Sequence, residues 1–300
     1  MRSFSSGLDT DIHQEIVQLL HDSPENLLPD FPGQHIFNPS AIGVADGDDP
    51  IFQEFRQVVG SDHLLPRELL ERHAPGADLA CVRVVAWALP FSEGVRRANR
   101  NVDFPSRLYS LARNNGAVLI ERMSLLLATL LETRGVAEVV PAALDAYTAY
   151  RCPTHQFSST WSERHVAFAA GLGRFGLSNA LLTPVGSNVR LGSIVVNLPL
   201  SVTVRAEGDH RAPCLAAGGK TCGRCMTRCP AGAISAAGMD KAKCYLMRER
   251  IREKCLKSYA SEMHMISATI ATSGHRKSGY SLGCALCQCG VPCEQSWPGG

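Results

Sequence analysis

The chain has 300 residues, of which 45% are hydrophobic, so it is long enough to bury a sizeable core in one larger and one smaller domain. Its formal net charge of +2 is too mild to indicate nucleic acid or an anionic membrane as a partner. The longest apolar stretch, residues 116–131, is interrupted by Glu121 and Arg122, and no secretory signal opens the chain. We therefore expect a soluble protein of the reducing cytoplasm with no membrane span.

The first half of the chain alternates helical and strand-like segments. Apolar spacing predicts helices over residues 10–20, 52–59, 66–72 and 105–133. The last of these ends at Gly135, a typical capping residue. A β-branched apolar run over residues 80–89 predicts a buried strand, and residues 136–140 predict another. A helix between two strands indicates a β-α-β element, whereas residues 29–50, rich in Pro, Gly, Asp and Asn, predict an irregular connection.

Residues 162–170 predict a helix that runs into Gly171-Leu-Gly173-Arg-Phe-Gly176. The three glycines match G-x-G-x-x-G formally, but a dinucleotide fingerprint needs a strand directly before it, so we reject that interpretation. We expect the glycines to allow tight turns or close backbone approach to a bound group; a helix-capping turn is the simpler alternative. Alternation over residues 181–184 and 190–198 predicts a hairpin or a pair of sheet strands.

A polar stretch at residues 203–212 predicts a boundary between an α+β domain, residues 1–205, and a second domain, residues 206–300. In the second domain, residues 241–258 predict a helix rich in Lys, Arg and Glu. Such a helix most simply presents a solvated face, and a docking patch for an electron donor is the alternative.

Ten of the twelve cysteines lie between Cys214 and Cys293. The centre of this stretch reads Cys222-Gly-Arg-Cys225-Met-Thr-Arg-Cys229-Pro. It matches the last three cysteines of the bacterial ferredoxin run C-x2-C-x2-C-x3-C-P. The first cysteine of that run falls on Gly219, and we take Cys214 as its substitute.

Two cubane clusters need eight thiolates, and pairing the motifs supplies eight. The ferredoxin crossing rule assigns Cys214, Cys222, Cys225 and Cys293 to cluster one, and Cys229, Cys244, Cys284 and Cys287 to cluster two. Zinc and disulfides are the alternatives, but the ferredoxin-like Cys-Pro ending disfavours zinc, and the lack of a secretory signal disfavours disulfides. Cys289 either replaces Cys287 or Cys293 as a ligand or is a free buried thiol, the interpretation we favour.

The glycine segment and the cysteines together have the pattern of a known family. The segment from Ala170 to Pro184, the run from Arg190 to Leu200 and the two-cubane set resemble the epoxyqueuosine reductases and, more distantly, the reductive dehalogenases. The resemblance covers residues 82–298 and is closest to a short branch of epoxyqueuosine-reductase-like iron–sulfur proteins. Trp161-Ser-Glu-Arg-His165 also belongs to this pattern.

The resemblance implies an α+β, nitroreductase-like corrinoid-binding domain followed by a ferredoxin-like module. In such proteins two 4Fe–4S clusters pass single electrons to cobalamin, which reduces a small organic substrate. It implies that Gly171, Gly173, Gly176 and Arg190 lie at the corrinoid. It also implies an external electron donor such as flavodoxin or ferredoxin.

The chain departs from the epoxyqueuosine reductases where their aspartate proton donor aligns with Phe157. The chain also ends seven residues after Cys293, so we do not expect the carboxy-terminal part that helps these enzymes hold tRNA. The catalytic candidates are therefore His165, Arg164 and Tyr150, with Tyr147, His155 and Arg151 as further ones. Each of them has a purely structural role as its alternative.

We expect an iron–sulfur oxidoreductase that is related to, but distinct from, epoxyqueuosine reductase. The alternative function is an electron-transfer or activating protein that reduces the cofactor of a partner protein. An iron–sulfur sensor or scaffold is the third interpretation.

Overall fold

A computed structural model describes residues 5–28, 30–136, 138–142, 149–264 and 279–298, with side chains from residue 12 onward. The helices are α1 (Ser5–Asp22), α2 (Ile51–Val58), α3 (Pro66–His73), α4 (Glu93–Arg97), α5 (Arg107–Thr133), α6 (Glu163–Ala169), α7 (Arg224–Arg228) and α8 (Lys241–Tyr259). The strands are β1 (Ala41–Asp46), β2 (Val82–Pro90), β3 (Val139–Val140), β4 (Ala149–Cys152), β5 (Gln156–Ser159), β6 (Arg174–Phe175), β7 (Leu181–Leu182), β8 (Val189–Asn197), β9 (Ile234–Ser235) and β10 (Gly238–Met239). Short 3-10 turns lie at Pro24–Asn26, Ala260–Glu262 and Leu286–Gln288.

A four-stranded sheet in the order β1-β2-β8-β3 forms the centre of the molecule. β2 and β8 pair antiparallel along their whole length, from Val82 with Asn197 to Pro90 with Val189. Because β8 is antiparallel to both β2 and β3, those two strands are parallel, and α5 connects them. The predicted β-α-β element is confirmed in a split form, with β8 between its two strands.

Each face of this sheet carries its own hydrophobic core. Val85 and Trp87 of β2 pack with residues of α1 and α5, whereas Val84 and Ala86 pack with residues of α2, α3 and α6. Successive side chains of a strand point to opposite faces, so β2 is buried on both. This burial explains why its sequence is a continuous apolar run and not an alternating one.

The predicted helices are confirmed, with ends that differ by a few residues. Helix α5 begins after Ser106, whose Oγ accepts a hydrogen bond from the Tyr109 amide at 3.1 Å. It ends at Thr133, and Gly135, two residues further on, has a φ of +88°. The Val136 amide then donates to the carbonyl oxygen of Leu131 at 3.0 Å, as in a Schellman cap.

Two details of the sheet differ from the sequence predictions. Strand β1 lies inside residues 29–50, which predicted only an irregular connection; as an edge strand among Pro, Gly and Asp residues, it has a weak local pattern. The segments over residues 181–184 and 190–198 contain sheet strands, the second of the two predicted alternatives, but not a hairpin, because β7 pairs with β6 while β8 pairs with β2.

The predicted domain boundary near residue 205 stays a prediction. Ile251, Cys255 and Leu282, from beyond that boundary, belong to the same core as residues of α1 and α5. Within the described ranges, no helix combines the length and the apolar character needed to cross a membrane.

Candidate functional site

The thiols of the first cysteine motif lie near the last cysteine of the chain. Burial raises the pKa of the Cys225 thiol to about 11, and the neighbouring thiol charges, first that of Cys293 and then those of Cys214 and Cys222, contribute in the same direction. Cys214 and Cys222 also raise the pKa of Cys293, after its burial. These four thiols, here the cluster-one group, are the set that the crossing rule assigns to one cubane.

The other four predicted ligands form a second group. Burial raises the pKa of the Cys287 thiol well above its usual value, and the thiols of Cys284, Cys229 and Cys244 add to this effect. Cys244 in turn has Cys284 and Cys229 as neighbours. The charge of the Cys225 thiol also raises the pKa of Cys287, so this cluster-two group lies next to the cluster-one group.

The donor set of these two groups fits two cubanes. Backbone amides approach the sulfurs, from Leu177 to Cys214 at 3.4 Å and from Ala233 to Cys229 at 3.3 Å. Such bonds to sulfur tune the potential of a cluster. Among the described residues, no three His, Cys, Asp or Glu side chains converge as one metal ion requires.

Cys289 occupies a different environment from the eight grouped thiols. It is fully buried, and its Sγ accepts a hydrogen bond from Asn188 Nδ2 at 2.9 Å. Tyr109 donates its hydroxyl to Asn188 Oδ1 at 2.7 Å, which orients the amide. Burial, followed by the charge of Glu294, raises the pKa of Cys289 to about 12. These contacts support the interpretation of Cys289 as a buried free thiol, which stays a prediction.

Side chains around α4 and α7 hold the loop that carries the last cysteines. Arg100 Nε donates to both carboxylate oxygens of Glu294, at 3.0 and 2.9 Å, and the Gly290 amide donates to one of them at 2.8 Å. Asn99 Nδ2 donates to the carbonyl oxygen of Cys284 at 2.9 Å. Arg228 Nε donates to the carbonyl oxygen of Cys289 at 3.1 Å. This loop is therefore anchored to the larger part of the molecule.

The glycines of the predicted cofactor segment contact the chain itself. Gly171 has a φ of +72° and caps α6, since the following Leu172 amide donates to the carbonyl oxygen of Ala167 at 2.9 Å. Gly173 lies against the backbone of Leu182, whose carbonyl oxygen occupies the space that a Cβ would need. Gly171 is thus a helix-capping residue, as the simpler alternative predicted. At Gly173 a glycine is required because the backbone packs closely on β7.

The other two predicted cofactor residues also have partners in the chain. Gly176 lies against the side chain of Leu182, and Arg190 Nη2 donates to Ser281 Oγ at 3.0 Å. Contacts within the chain thus account for these residues as they are packed here. Their role in cofactor binding stays a prediction.

His165, the first catalytic candidate, is half-buried among aromatic rings. Its ring centroid lies 5.2 Å from that of Phe55 and 4.8 Å from that of Phe175. Its Nδ1 lies 2.7 Å from Ser162 Oγ. Burial, followed by the charge of Arg164, lowers the pKa of His165 to about 3. The imidazole is therefore neutral at pH 7 and holds no acidic imidazolium proton to donate.

The other candidates are spread over neighbouring elements. Arg164 is exposed and donates to the carbonyl oxygen of Asn179 at 2.6 Å. The Tyr150 hydroxyl lies against Gly60, and burial followed by the charge of Asp62 raises its pKa. Tyr147 lies outside the described residues.

The hairpin of β4 and β5 carries the position that aligns with the family's aspartate. Phe157 stacks on Tyr245, with 4.6 Å between ring centroids. Lys241 Nζ donates to the carbonyl oxygens of His155 and Phe157, each at 3.2 Å. Phe157 thus fastens the hairpin to the first turn of α8, close to Cys244. Its role is packing, because a phenyl ring carries no transferable proton.

Glu163 is a candidate that the sequence reasoning did not single out. Ser193 donates to Glu163 Oε2 at 2.8 Å, and Trp161 Nε1 donates to Ser193 Oγ at 3.1 Å. Glu163 Oε1 is buried without a hydrogen-bond partner in the described part of the chain. Burial raises the pKa of this carboxyl to about 7. An acidic residue in the first turn of a helix is ordinarily solvated, so no local signal marks it as buried.

Comparisons with known proteins bear on the fold. No family model and no curated protein matches the chain. Among solved structures it is similar to an epoxyqueuosine reductase from Bacillus subtilis whose catalytic aspartate loop is swung out of the active site. The identity is 17% and the TM-score 0.52, over 97% of this chain and 66% of that one.

Two further epoxyqueuosine reductase structures are similar to the chain. A selenomethionine-labelled one has 16% identity and a TM-score of 0.51, over 97% of this chain and 69% of that one. One with an epoxyqueuosine-modified tRNA stem loop has 17% identity and a TM-score of 0.47, over 82% and 58%. This chain thus spans about two thirds of the length of the Bacillus subtilis enzyme.

The fold class is a mixed α/β architecture with a cysteine-rich carboxy-terminal part. Within that class, the chain has the fold of the epoxyqueuosine reductases. The resemblance inferred from the sequence is confirmed at this level.

Proposed function

We propose that the chain is an iron–sulfur oxidoreductase that passes single electrons through two 4Fe–4S clusters. The observation that carries this proposal is that the eight thiols fall into two adjacent groups of four. The clusters supply one-electron transfer, which no protein side chain in these groups performs alone. The shared epoxyqueuosine reductase fold supports an oxidoreductase as the class of enzyme.

The chain's own residues prepare both sites for this chemistry. The cluster-one and cluster-two groups supply the eight thiolates, and the amides of Leu177 and Ala233 stabilise negative charge on sulfur. The Arg100–Glu294 pair holds the loop of Cys293 in place. The Cys225 thiol is close enough to Cys287 for its charge to raise the pKa of Cys287, and electron transfer between the clusters would depend on such proximity.

The finer part of the proposal is a corrinoid, cobalamin, which would supply the chemistry that reduces a small organic substrate. It rests on the sequence resemblance alone, since Gly171, Gly173, Gly176 and Arg190 contact the chain itself. Glu163 is the group best suited to supply a proton, because its carboxyl is half protonated near neutral pH, whereas His165 is neutral there. A flavodoxin or ferredoxin in the cytoplasm is the proposed electron donor.

An electron-transfer or activating protein is the alternative function. It is favoured by the packing of Phe157 on Tyr245, which leaves no aspartate at the position aligned with the family's proton donor. In that case the clusters would reduce the cofactor of a partner protein. The chain would then have no small-molecule substrate.

The test is anaerobic purification from cobalamin-fed cells, with iron, sulfide and cobalt measured per chain. We expect about eight irons and about eight sulfides. One zinc per thiol group and no sulfide would contradict the proposal. Stoichiometric cobalt with a corrinoid absorption band would support the corrinoid reductase. Eight irons without cobalt, even after reconstitution with cobalamin, would support the electron-transfer alternative.

A further inference from the structure

The loop over the cluster-one thiols, residues 211–226, has an unusual charge distribution. Between residues 211 and 239 the sequence contains Arg211, Lys220, Arg224 and Arg228, but no Asp or Glu. Lys220 and Arg224 are exposed, whereas Arg228 points inward and donates to carbonyl oxygens, among them that of Cys289. Glu207 and Asp209 precede the loop and are exposed too. The loop itself thus presents only positive charge to solvent.

A cavity of about 240 Å³ opens beside this loop. It is lined by Pro213, Leu215, Lys220 and Trp297 together with Cys214, a predicted cluster-one ligand. Within the described ranges, Trp297 Nε1 and Arg211 Nε are buried without a hydrogen-bond partner. A basic rim, an aromatic ring and hydrogen-bond donors without a partner therefore surround one of the thiols that would hold cluster one.

The surface of α8, the other candidate for a docking patch, differs in charge. Its groove of about 430 Å³ is lined by side chains of both signs, including Glu249, Arg250 and Glu253, and by the exposed Leu246. None of the predicted cluster ligands lines it. A surface with charges of both signs does not select acidic over basic partners. A surface of a single sign attracts an oppositely charged partner.

We propose that residues 211–226 and Trp297 form the docking surface for an acidic electron-carrier protein, which reduces cluster one first. The proposal rests on the proposed function, because it requires a cluster at the cluster-one thiols. In the step, the reduced cofactor of the carrier loses one electron and cluster one gains it. No bond forms or breaks, and no proton is transferred.

The test is the rate of cluster reduction in the reconstituted full chain, followed by stopped-flow absorbance. The reductants are a reduced flavodoxin and, separately, a reduced ferredoxin, both acidic. For the wild type we expect the rate to fall steeply with ionic strength. The Lys220→Glu variant should lower the rate of cluster reduction by about tenfold at low salt. The double variant, Lys220→Glu with Arg224→Glu, should lower this rate further. The Arg250→Glu variant makes the same charge change on α8 and should leave the rate unchanged.

The radical cation of methyl viologen serves as a reductant that needs no protein docking. The rate at which it reduces the clusters should not fall in the Lys220→Glu variant. That result would show that the cluster itself is intact. A wild-type rate with both carriers that is independent of salt, or a larger effect of Arg250→Glu than of Lys220→Glu, would overturn the proposal. Failure of the proposed function is distinguishable, because the iron assay would then find no cluster to reduce. If only one of the two carriers shows the effect, that result identifies the class of donor.

Discussion

Glu163 shows how burial changes the chemistry of one residue. Its carboxyl lies beside Ser193 and Trp161, and burial raises its pKa from 4.5 to about 7. The folded protein therefore binds this proton more tightly than the unfolded chain does. The resulting stability is fully present below about pH 4.5 and is lost as the pH rises through about 7.

We predict that Glu163→Gln removes this pH dependence, because the amide is neutral throughout. Between about pH 4.5 and 7, the wild type should lose up to about 3 kcal/mol of unfolding free energy relative to the variant. Thermal or urea unfolding of both proteins across this range measures the difference. Parallel curves for the two proteins would show that Glu163 is ionised in the folded state.

The cysteines make a second prediction at the scale of single residues. Cys225→Ser should remove cluster one and lower the iron content from about eight to about four per chain, because the two thiol groups are separate. Cys289→Ser is the matched control and should retain about eight irons. Iron analysis and electron paramagnetic resonance of the reduced proteins measure both. Loss of both clusters in the first variant, or of one in the second, would contradict the ligand sets.

At the scale of elements, α4 and the residues after it hold the cysteine loop. Glu294 is only 4% exposed, and its carboxylate is held by Arg100 and the Gly290 amide. Glu93 connects Arg100 to Arg96 through further ion pairs. This network lies immediately beside Cys293, so its integrity sets the position of one predicted cluster ligand.

We predict that Arg100→Ala lowers the unfolding free energy by about 1–3 kcal/mol, because it leaves a buried carboxylate with fewer donors. Urea unfolding of the cluster-loaded protein measures this change. Arg250→Ala, an exposed position on α8, is the control and should change it by less than about 0.5 kcal/mol. Equal, small effects of both substitutions would mean that solvent replaces the Arg100 contacts.

At the scale of the whole molecule, the two ends of the chain differ in how they are stabilised. The sheet has a hydrophobic core on each face, whereas α7, beside the thiol groups, has no buried residue. Metal binding commonly contributes folding energy to such segments, because the site does not exist in the unfolded state. We infer that the clusters stabilise residues 206–240.

The corresponding prediction concerns removal of iron. Treatment with a chelator should make residues 206–240 sensitive to protease while residues 51–136 stay protected. Limited proteolysis with mass spectrometry, compared with the iron-loaded protein, locates the cleavage sites. Unchanged protection of residues 206–240 would show that this region folds without metal. General cleavage would show that the clusters support the whole molecule.

Local patterns in the sequence were sufficient for several of these features. The apolar periodicity of α5 and β2 predicted elements that the structure contains, because helix and strand periods are properties of neighbouring residues. Edge strand β1 escaped prediction since its pairing with β2 depends on residues about 40 positions away. Gly173 suggested a bound group, yet the backbone it approaches is that of β7.

By itself, the sequence determined the thiol spacing of the carboxy-terminal part, on which the iron–sulfur proposal rests. The spacing of Cys222, Cys225 and Cys229 before a proline is a covalent property of the chain and does not depend on the fold. Tertiary structure alone decided which thiols lie side by side, why His165 is neutral and why Glu163 retains a proton near pH 7. The physical reason is that solvation and charge at a side chain depend on every element packed around it, and those elements come from distant parts of the chain.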